Sequence, residues 1–467
     1  MRRVSRLLLP ALLALGSGCT VGPDYTRPAV DVPLSYRGDA TEGTGAASLG
    51  EAQWWEVFRD EELQGLIRRA LQANYDVRIA VARILQSRAQ LTITRAAQFP
   101  TVSAGATVGR QRQAAQDFGG MTIPPFEFNI FQLDAMLSWE LDFWGRFRRG
   151  TEAARANLLG TEWAQRAVLI SVISNVANAY FQLRELDLEL EIARRTLTSR
   201  EESLKLIQIQ EEGGVVSLLD VRQAEQLVFT AAETITDVER RMEQQENALS
   251  ALLGRNPGPI PRGLELADQP QPPEVPAGLP SSLLERRPDI RQVEQSLIAA
   301  NAQIGVAKAA YFPAISLTGS GGVQSFALAS LFTGPAGFWS VAGSLVQPIF
   351  TAGRLKAGVR LTEAQAEELV HSYRQTVQQA FRDVSNALVG YRKAREFRER
   401  QALLAASTQD AARLSDIRYR GGATSYLEVL TSQTNNFSAE LGLAQARLNE
   451  LLAMVQLYSA LGGGWQR

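Results

Sequence analysis

The chain has 467 residues, with 48 Lys plus Arg against 49 Asp plus Glu and a formal net charge of -1. That balance excludes the basic footprint of a nucleic-acid-binding protein. A single His and a single Cys exclude an intrachain disulfide and any His- or Cys-rich metal site, and a catalytic triad would depend on His371 alone. His371 sits mid-helix among charged and polar neighbours, where a surface or packing role is expected. No Walker loop, Rossmann glycine pattern or zincin motif occurs, so neither a cofactor nor an enzymatic activity is expected.

At the N-terminus, Arg2, Arg3 and Arg6 precede a short apolar run from Leu7 to Leu15, and Gly16-Ser17-Gly18 stands directly before Cys19. This pattern predicts a signal peptide over residues 1–18, too short to span a membrane. A Cys directly after small residues resembles a bacterial lipobox, although Gly16 stands where Leu is usual. The expected product begins at a lipidated (palmitate-bearing) Cys19, followed by an extended segment over 19–53. The bland alternative is an ordinary cleavage site beside an incidental Cys. Each buried CH2 of an acyl chain adds about 0.8 kcal/mol, so two or three chains anchor stably. Thr20 follows the Cys instead of the Asp that favours inner-membrane retention in enteric lipoproteins, which points to the outer membrane.

Two similar units follow. Asp76-Val77-Arg78 matches Asp289-Ile290-Arg291, and Ala96-Ala97-Gln98-Phe99-Pro100 matches Ala309-Ala310-Tyr311-Phe312-Pro313 at the same offset. Gly145-Arg146 matches Gly353-Arg354, Gly213-Gly214 matches Gly421-Gly422, Ser217 matches Ser425, and Leu253-Gly254 matches Leu461-Gly462 at a second offset. The chain therefore reads as an internal duplication. The first unit, 54–256, is predicted to hold helices at 54–98, 143–212 and 217–254 and strands at 101–112 and 128–142. A Pro-rich connector over 257–280 holds eight of the 19 prolines and reads as an extended linker. The second unit, 281–467, is predicted to hold helices at 283–311, 352–420 and 425–461 and strands at 314–326 and 338–350.

The helix assignments rest on composition and period. There is no proline from Phe126 to Asn256, and none from Ile349 onward. Both stretches are rich in good helix formers. Leu169, Val172, Val176, Ala179, Leu183, Leu186 and Leu190 step by three and four, the period of a coiled coil. A helix from 143 to 212 would be roughly 100 Å long at 1.5 Å per residue. The strand assignments rest on alternation: Phe131, Leu133, Ala135, Leu137 and Trp139 alternate with Gln132, Asp134, Met136 and Ser138. Four such strands suit either a soluble sandwich or a transmembrane barrel. Export and aromatic residues at the strand ends favour the barrel. Four strands do not close a barrel, and open edges are not tolerated in lipid, so subunits must join.

The chain resembles the outer membrane factors of tripartite efflux pumps, the TolC-like and OprM-like proteins, and in particular NodT-type lipoproteins that serve RND transporters. The strings that carry the resemblance are Cys19-Thr20-Val21-Gly22-Pro23-Asp24-Tyr25, Trp54-Trp55, Leu141-Asp142-Phe143-Trp144-Gly145-Arg146, Arg286-Arg287-Pro288-Asp289-Ile290, Tyr311-Phe312-Pro313, Gln347-Pro348-Ile349-Phe350 and Leu461-Gly462-Gly463-Gly464-Trp465. The resemblance implies a homotrimeric outer-membrane β-barrel with four strands per protomer, continued by a long periplasmic α-helical coiled-coil barrel. It also implies a periplasmic adaptor and an inner-membrane RND pump as partners. The connector and the termini would form a belt. The turns at Gly213, Gly214, Gly421 and Gly422 would form the periplasmic tip and gate. Asp220 matches a gate-bonding Asp and Tyr419 its Tyr partner. Thr424 stands where relatives carry a charge, and Glu211, Glu212 and Glu428 are acidic candidates near the mouth. Helix-end glycines suit ordinary caps, and helix-end acids are ordinarily solvated. Besides the efflux duct, two functions remain open: the exit duct of a protein-secretion system, and a soluble coiled-coil scaffold.

Overall fold

A computed structural model of the chain describes residues 20–37, 48–270 and 280–465. The predicted signal peptide, Cys19 and connector residues 271–279 lie outside the described residues. The chain divides into two units: one takes in residues up to Pro28, Ile84–Gly160 and Val293–Tyr373, and the other Ala29–Arg83, Thr161–Gln292 and Arg374–Arg467.

The first unit holds the sheet. Strands β1 (Thr101–Gln113), β4 (Phe126–Leu141), β5 (Ala314–Ser325) and β6 (Gly337–Val346) pair antiparallel in the order β1-β4-β5-β6. Directly paired residues share a face, so the register separates the side chains into two sets. One row runs Val102–Leu137–Gly319–Val341 and another Ala104–Ala135–Gly321–Trp339. The rows between them run Thr101–Ser138–Thr318–Ala342 and Ser103–Met136–Ser320–Ser340. One face is thus apolar and the other largely polar, as the alternation predicts. On the apolar face Val102, Val108, Trp339, Val341 and Leu345 are all exposed in the single chain. Strands β1 and β6 are the sheet's edges. A short hairpin, β2 (Gln116–Phe118) and β3 (Met121–Ile123), turns on Gly119-Gly120 between β1 and β4. Nothing in the sequence reading anticipated it, although a Gly-Gly pair is a known hairpin signal.

The helices α1 (Trp54–Val57), α2 (Glu61–Ala73) and α3 (Tyr75–Ala96) replace the single helix expected over 54–98. The breaks fall where side chains compete for the backbone. Asp60 accepts from the amides of Glu62 and Leu63 at 2.9 and 3.2 Å, and Asn74 accepts from those of Asp76 and Val77 at 2.8 and 3.3 Å. Each such residue starts a new helix as its N-cap. The helix expected over 283–311 is likewise two, α6 (Pro280–Arg286) and α7 (Pro288–Ala309). Pro288 has no N–H to donate and disfavours helical backbone at Arg287.

The remaining helices are α4 (Arg146–Glu212), α5 (Leu218–Leu252), α8 (Arg354–Arg420) and α9 (Tyr426–Ala460). They fall within three residues of their expected bounds. The lengths repeat: α4 and α8 have 67 residues each, and α5 and α9 have 35 each. No helix among the described residues is long and apolar enough to cross a membrane.

Asp60 is the polar centre of the second unit. It is 1% exposed. Besides its two cap amides it accepts from the Tyr180 hydroxyl at 2.8 Å, the Leu264 amide at 3.0 Å and Gln269 Nε2 at 2.9 Å. Five donors around one buried carboxylate offset its desolvation, and among the described residues no cation is paired with it. Burial, and then Asp60, raise the Tyr180 pKa, so its hydroxyl stays a donor. Two of these donors belong to the connector. Ile260 and Leu266 are buried there, and Arg262 bridges to Asp187 and Glu246. The described part of the connector is therefore packed and pinned, and the expectation of an extended linker is corrected.

Candidate functional site at the glycine turns

Both long hairpins of the second unit turn on a glycine pair. After α4, the Gly214 amide donates to the Glu211 carbonyl at 2.8 Å and the Val215 amide to the Gln210 carbonyl at 2.8 Å. After α8, the Gly422 amide donates to the Tyr419 carbonyl at 2.9 Å and the Ala423 amide to the Arg418 carbonyl at 2.9 Å. Gly214 and Gly422 have φ of 71° and 73°. This is the Schellman end of a helix, and it requires a left-handed residue.

The side chains at the two turns differ. After the first, Asp220 accepts from the Ser217 amide at 2.9 Å and from its hydroxyl at 2.7 Å, in a capping-box arrangement at the start of α5. After the second, Ser425 makes no side-chain cap bond, and Glu428 instead accepts from the Thr424 hydroxyl. Glu211 is half-buried, while Glu212 and Glu428 are exposed.

The two turn ends share one apolar cluster. Ile207, Val221, Ala224, Tyr426, Val429 and Leu430 are buried in it, with Leu204, Val216, Leu227 and Tyr419 packed against it. The rings of Tyr419 and Tyr426 lie 5.4 Å apart. The Tyr419 hydroxyl donates to Gln210 Oε1 at 2.6 Å. The expected bond from Tyr419 to Asp220 is therefore not formed within the chain. The carboxylate caps its own helix, three residues away, where almost no chain entropy is lost. Asp220 still acts on Tyr419 through space: burial first, and then its charge, raise the Tyr419 pKa. Burial, then Tyr419 and Asp220, push Tyr426 up to about 12. Both phenols therefore stay neutral donors around pH 7. Gln210 carried no signal in the sequence, because a Gln near a helix end is common and its partner lies 209 residues away.

Farther along the same helices, Arg200 is buried, donates to the Leu227 carbonyl at 2.7 Å and lies 4.8 Å from the Phe437 ring. It ties α4 to α5 and α9 beside a cavity of about 610 Å³ that Tyr419 and Gln433 also line. Burial lowers the Arg200 pKa. His371 is exposed on α8.

In the first unit, residues 20–28, which follow Cys19, are docked. Asp24 pairs with buried Arg149 at 2.7 Å, and Glu294 accepts from Tyr25 at 3.2 Å and from Arg27 at 2.6 Å. Several of the strings singled out in the sequence meet in pairs. Trp144 stacks on Phe312 at 4.6 Å and donates to the Pro313 carbonyl at 2.8 Å. In the second unit, Trp465 donates to the Arg286 carbonyl at 3.2 Å.

Residues 66–255 and 279–463 both match the family model of the outer membrane efflux protein. The probable efflux pump outer membrane protein TtgC of Pseudomonas putida is 39% identical over 468 residues, covering 99% of this chain and 96% of TtgC. The cation efflux system protein CusC of Escherichia coli is 36% identical over 466 residues, covering 98% of this chain and 99% of CusC. Among solved structures, the open-state MtrE outer membrane channel of Neisseria gonorrhoeae superposes with a TM-score of 0.87 at 34% identity, covering 96% of this chain and 99% of MtrE. The chain belongs to the outer membrane efflux protein family.

Proposed function

We propose that this member of the outer membrane efflux protein family is the exit channel of a tripartite, RND-type efflux system. It conducts drugs or other small molecules passively from an inner-membrane pump and a periplasmic adaptor to the exterior. The observation that carries this reading is the sheet, with its alternate apolar and polar rows and its two edge strands, β1 and β6. Such a sheet suits lipid on one face and a water-filled lumen on the other, and its edges need partners from further copies. Three copies would close a barrel of twelve strands. An acylated Cys19 anchors each copy, and the helices of the second unit line the periplasmic duct. The repeated helix lengths and the matching glycine turns support a duplicated unit. The turns form the adaptor-facing tip, held shut at rest.

Reconstitution into planar lipid bilayers tests the reading. Stepwise conductance is expected, together with a trimer in native mass spectrometry and a lipid mass on the N-terminal peptide. Extraction without detergent and a silent bilayer would favour a soluble coiled-coil scaffold instead.

A further inference from the structure

All four long strands join helices at one end of the sheet. The Thr101 end of β1 follows α3, the Leu141 end of β4 leads to α4, the Ala314 end of β5 follows α7 and the Val346 end of β6 leads to α8. The residues after Cys19 are docked at that end, where the Val21 amide donates to the Trp144 carbonyl at 3.1 Å. At the other end the strands are joined by segments 114–125 and 326–336. On the channel reading the helix end is periplasmic, so the other end meets the outer leaflet.

The apolar face of the sheet changes character along this axis. Its apolar rows run from Leu141–Ile315–Leu345 at the helix end to Val108–Phe131–Ser325. From Leu141 to Phe131 is about ten residues, or roughly 34 Å along the strand. A strand tilt of about 40° reduces this to roughly 26 Å, the height of the apolar band that a barrel shows to lipid. The next two rows on the same face are Arg110–Asn129 and Arg112–Glu127. Charge therefore starts where the band ends. Arg110 donates to Glu127 at 2.8 Å, and Arg112 lies 4.0 Å from the other oxygen of the same carboxylate. Two guanidiniums share one carboxylate, and their side chains are 74% and 70% exposed. Each guanidinium carries its N–H donors in a planar fork that matches a phosphate, and the contact with Glu127 leaves most of them for a ligand.

We propose that Arg110 and Arg112 form a headgroup site for a phosphate-bearing lipid of the outer leaflet: the apolar rows lie against its chains, and the two guanidiniums take its phosphate. The proposal rests on the channel reading. Glu127 is the one carboxylate in these two rows, and its charge opposes that of the phosphate. Because β1 is an edge strand, the site falls at the seam where a further copy would pair.

The test uses the full chain, purified in detergent and mixed with phosphatidylcholine and phosphatidic acid in equal amounts. Native mass spectrometry counts the lipids retained. The wild type should hold phosphatidic acid in preference. Arg110→Gln and Arg112→Gln should each lower that preference about fivefold, the effect of one basic side chain at an anionic membrane surface. Glu127→Gln should raise it. Conductance of the same samples in planar bilayers keeps the two readings apart. A conducting wild type with no lipid preference, or with a preference that both Arg variants keep, would overturn the headgroup site and leave the channel. A Glu127→Gln variant that retains less phosphatidic acid would also overturn the site. Silent bilayers with an Arg-dependent preference would overturn the channel reading and leave the site standing.

Discussion

The turn after α4 and the turn after α8 have the same backbone and different chemistry. The two amide-to-carbonyl bonds agree within 0.1 Å from one turn to the other, and φ of the left-handed glycine agrees within 2°. Yet one turn leads into a capped helix with Asp220 on Ser217, and the other into an uncapped Ser425 with Glu428 on Thr424. Tyr426 is buried after the second turn, while exposed Leu218 holds the matching place after the first. Helix geometry and glycine are enough to set where a hairpin turns. What its tip does is left to a few polar side chains, which diverge without disturbing the turn.

Several measurements would break or sharpen that contrast. The largest effect is expected from Tyr426, which has a titratable hydroxyl where Leu218 has none. Its folded pKa of about 12 lies above the ordinary value of 10, so its contribution is complete below pH 10 and is lost as pH rises toward 12. At about 1.4 kcal/mol per pKa unit, the loss amounts to roughly 2–3 kcal/mol. Denaturant midpoints from pH 9 to 12 should therefore fall less steeply for Tyr426→Phe than for the wild type. Parallel curves would deny the second turn its buried phenol.

Next come the glycines. A Cβ at Gly214 or Gly422 meets no atom within 4 Å, so substitution costs only backbone strain. Gly214→Ala and Gly422→Ala should each destabilise by about 1–2 kcal/mol, and equally. A clear inequality in thermal unfolding would break the backbone identity. The caps separate the turns at a smaller scale. Ser217→Ala should cost about 1 kcal/mol, and Ser425→Ala only a few tenths. Equal costs would mean that the second helix start has a cap after all. Smallest is Glu428→Gln on the exposed surface, expected within about 0.5 kcal/mol in unfolding experiments.

Much of this was legible in the chain. Alternation found all four long strands, because a sheet with two unlike faces writes a period of two into its sequence. The four long helices were bounded by their glycine turns and by the absence of proline. The breaks at Asp60 and Asn74 were missed, because an N-cap inside a run of good helix formers looks like an ordinary polar residue until its side chain turns to the backbone. The break before Pro288 had a visible signal in the proline itself. The connector read as a linker because prolines exclude helix, but they do not exclude burial, and Ile260 and Leu266 are buried. At the turns, Asp220 and Tyr419 were placed at the right end of the right helices. Their hydrogen bonds were not legible, since each is decided by competition: Ser217 for the carboxylate and Gln210 for the phenol.

The buried carboxylate of Asp60 also orders events in time. Its donors lie far along the chain: Tyr180 is 120 residues away, and Leu264 and Gln269 are 204 and 209 residues away. Until the connector has been synthesised and has closed that long loop, the charge has its own helix amides and at best one phenol. The helices built from the first half of the chain therefore lack two of the five donors until residues 264 and 269 are in place. Long-range closure of this kind is slow, and it is compensated only when the last donor arrives. The connector, in the middle of the sequence, is the segment that closes this polar core.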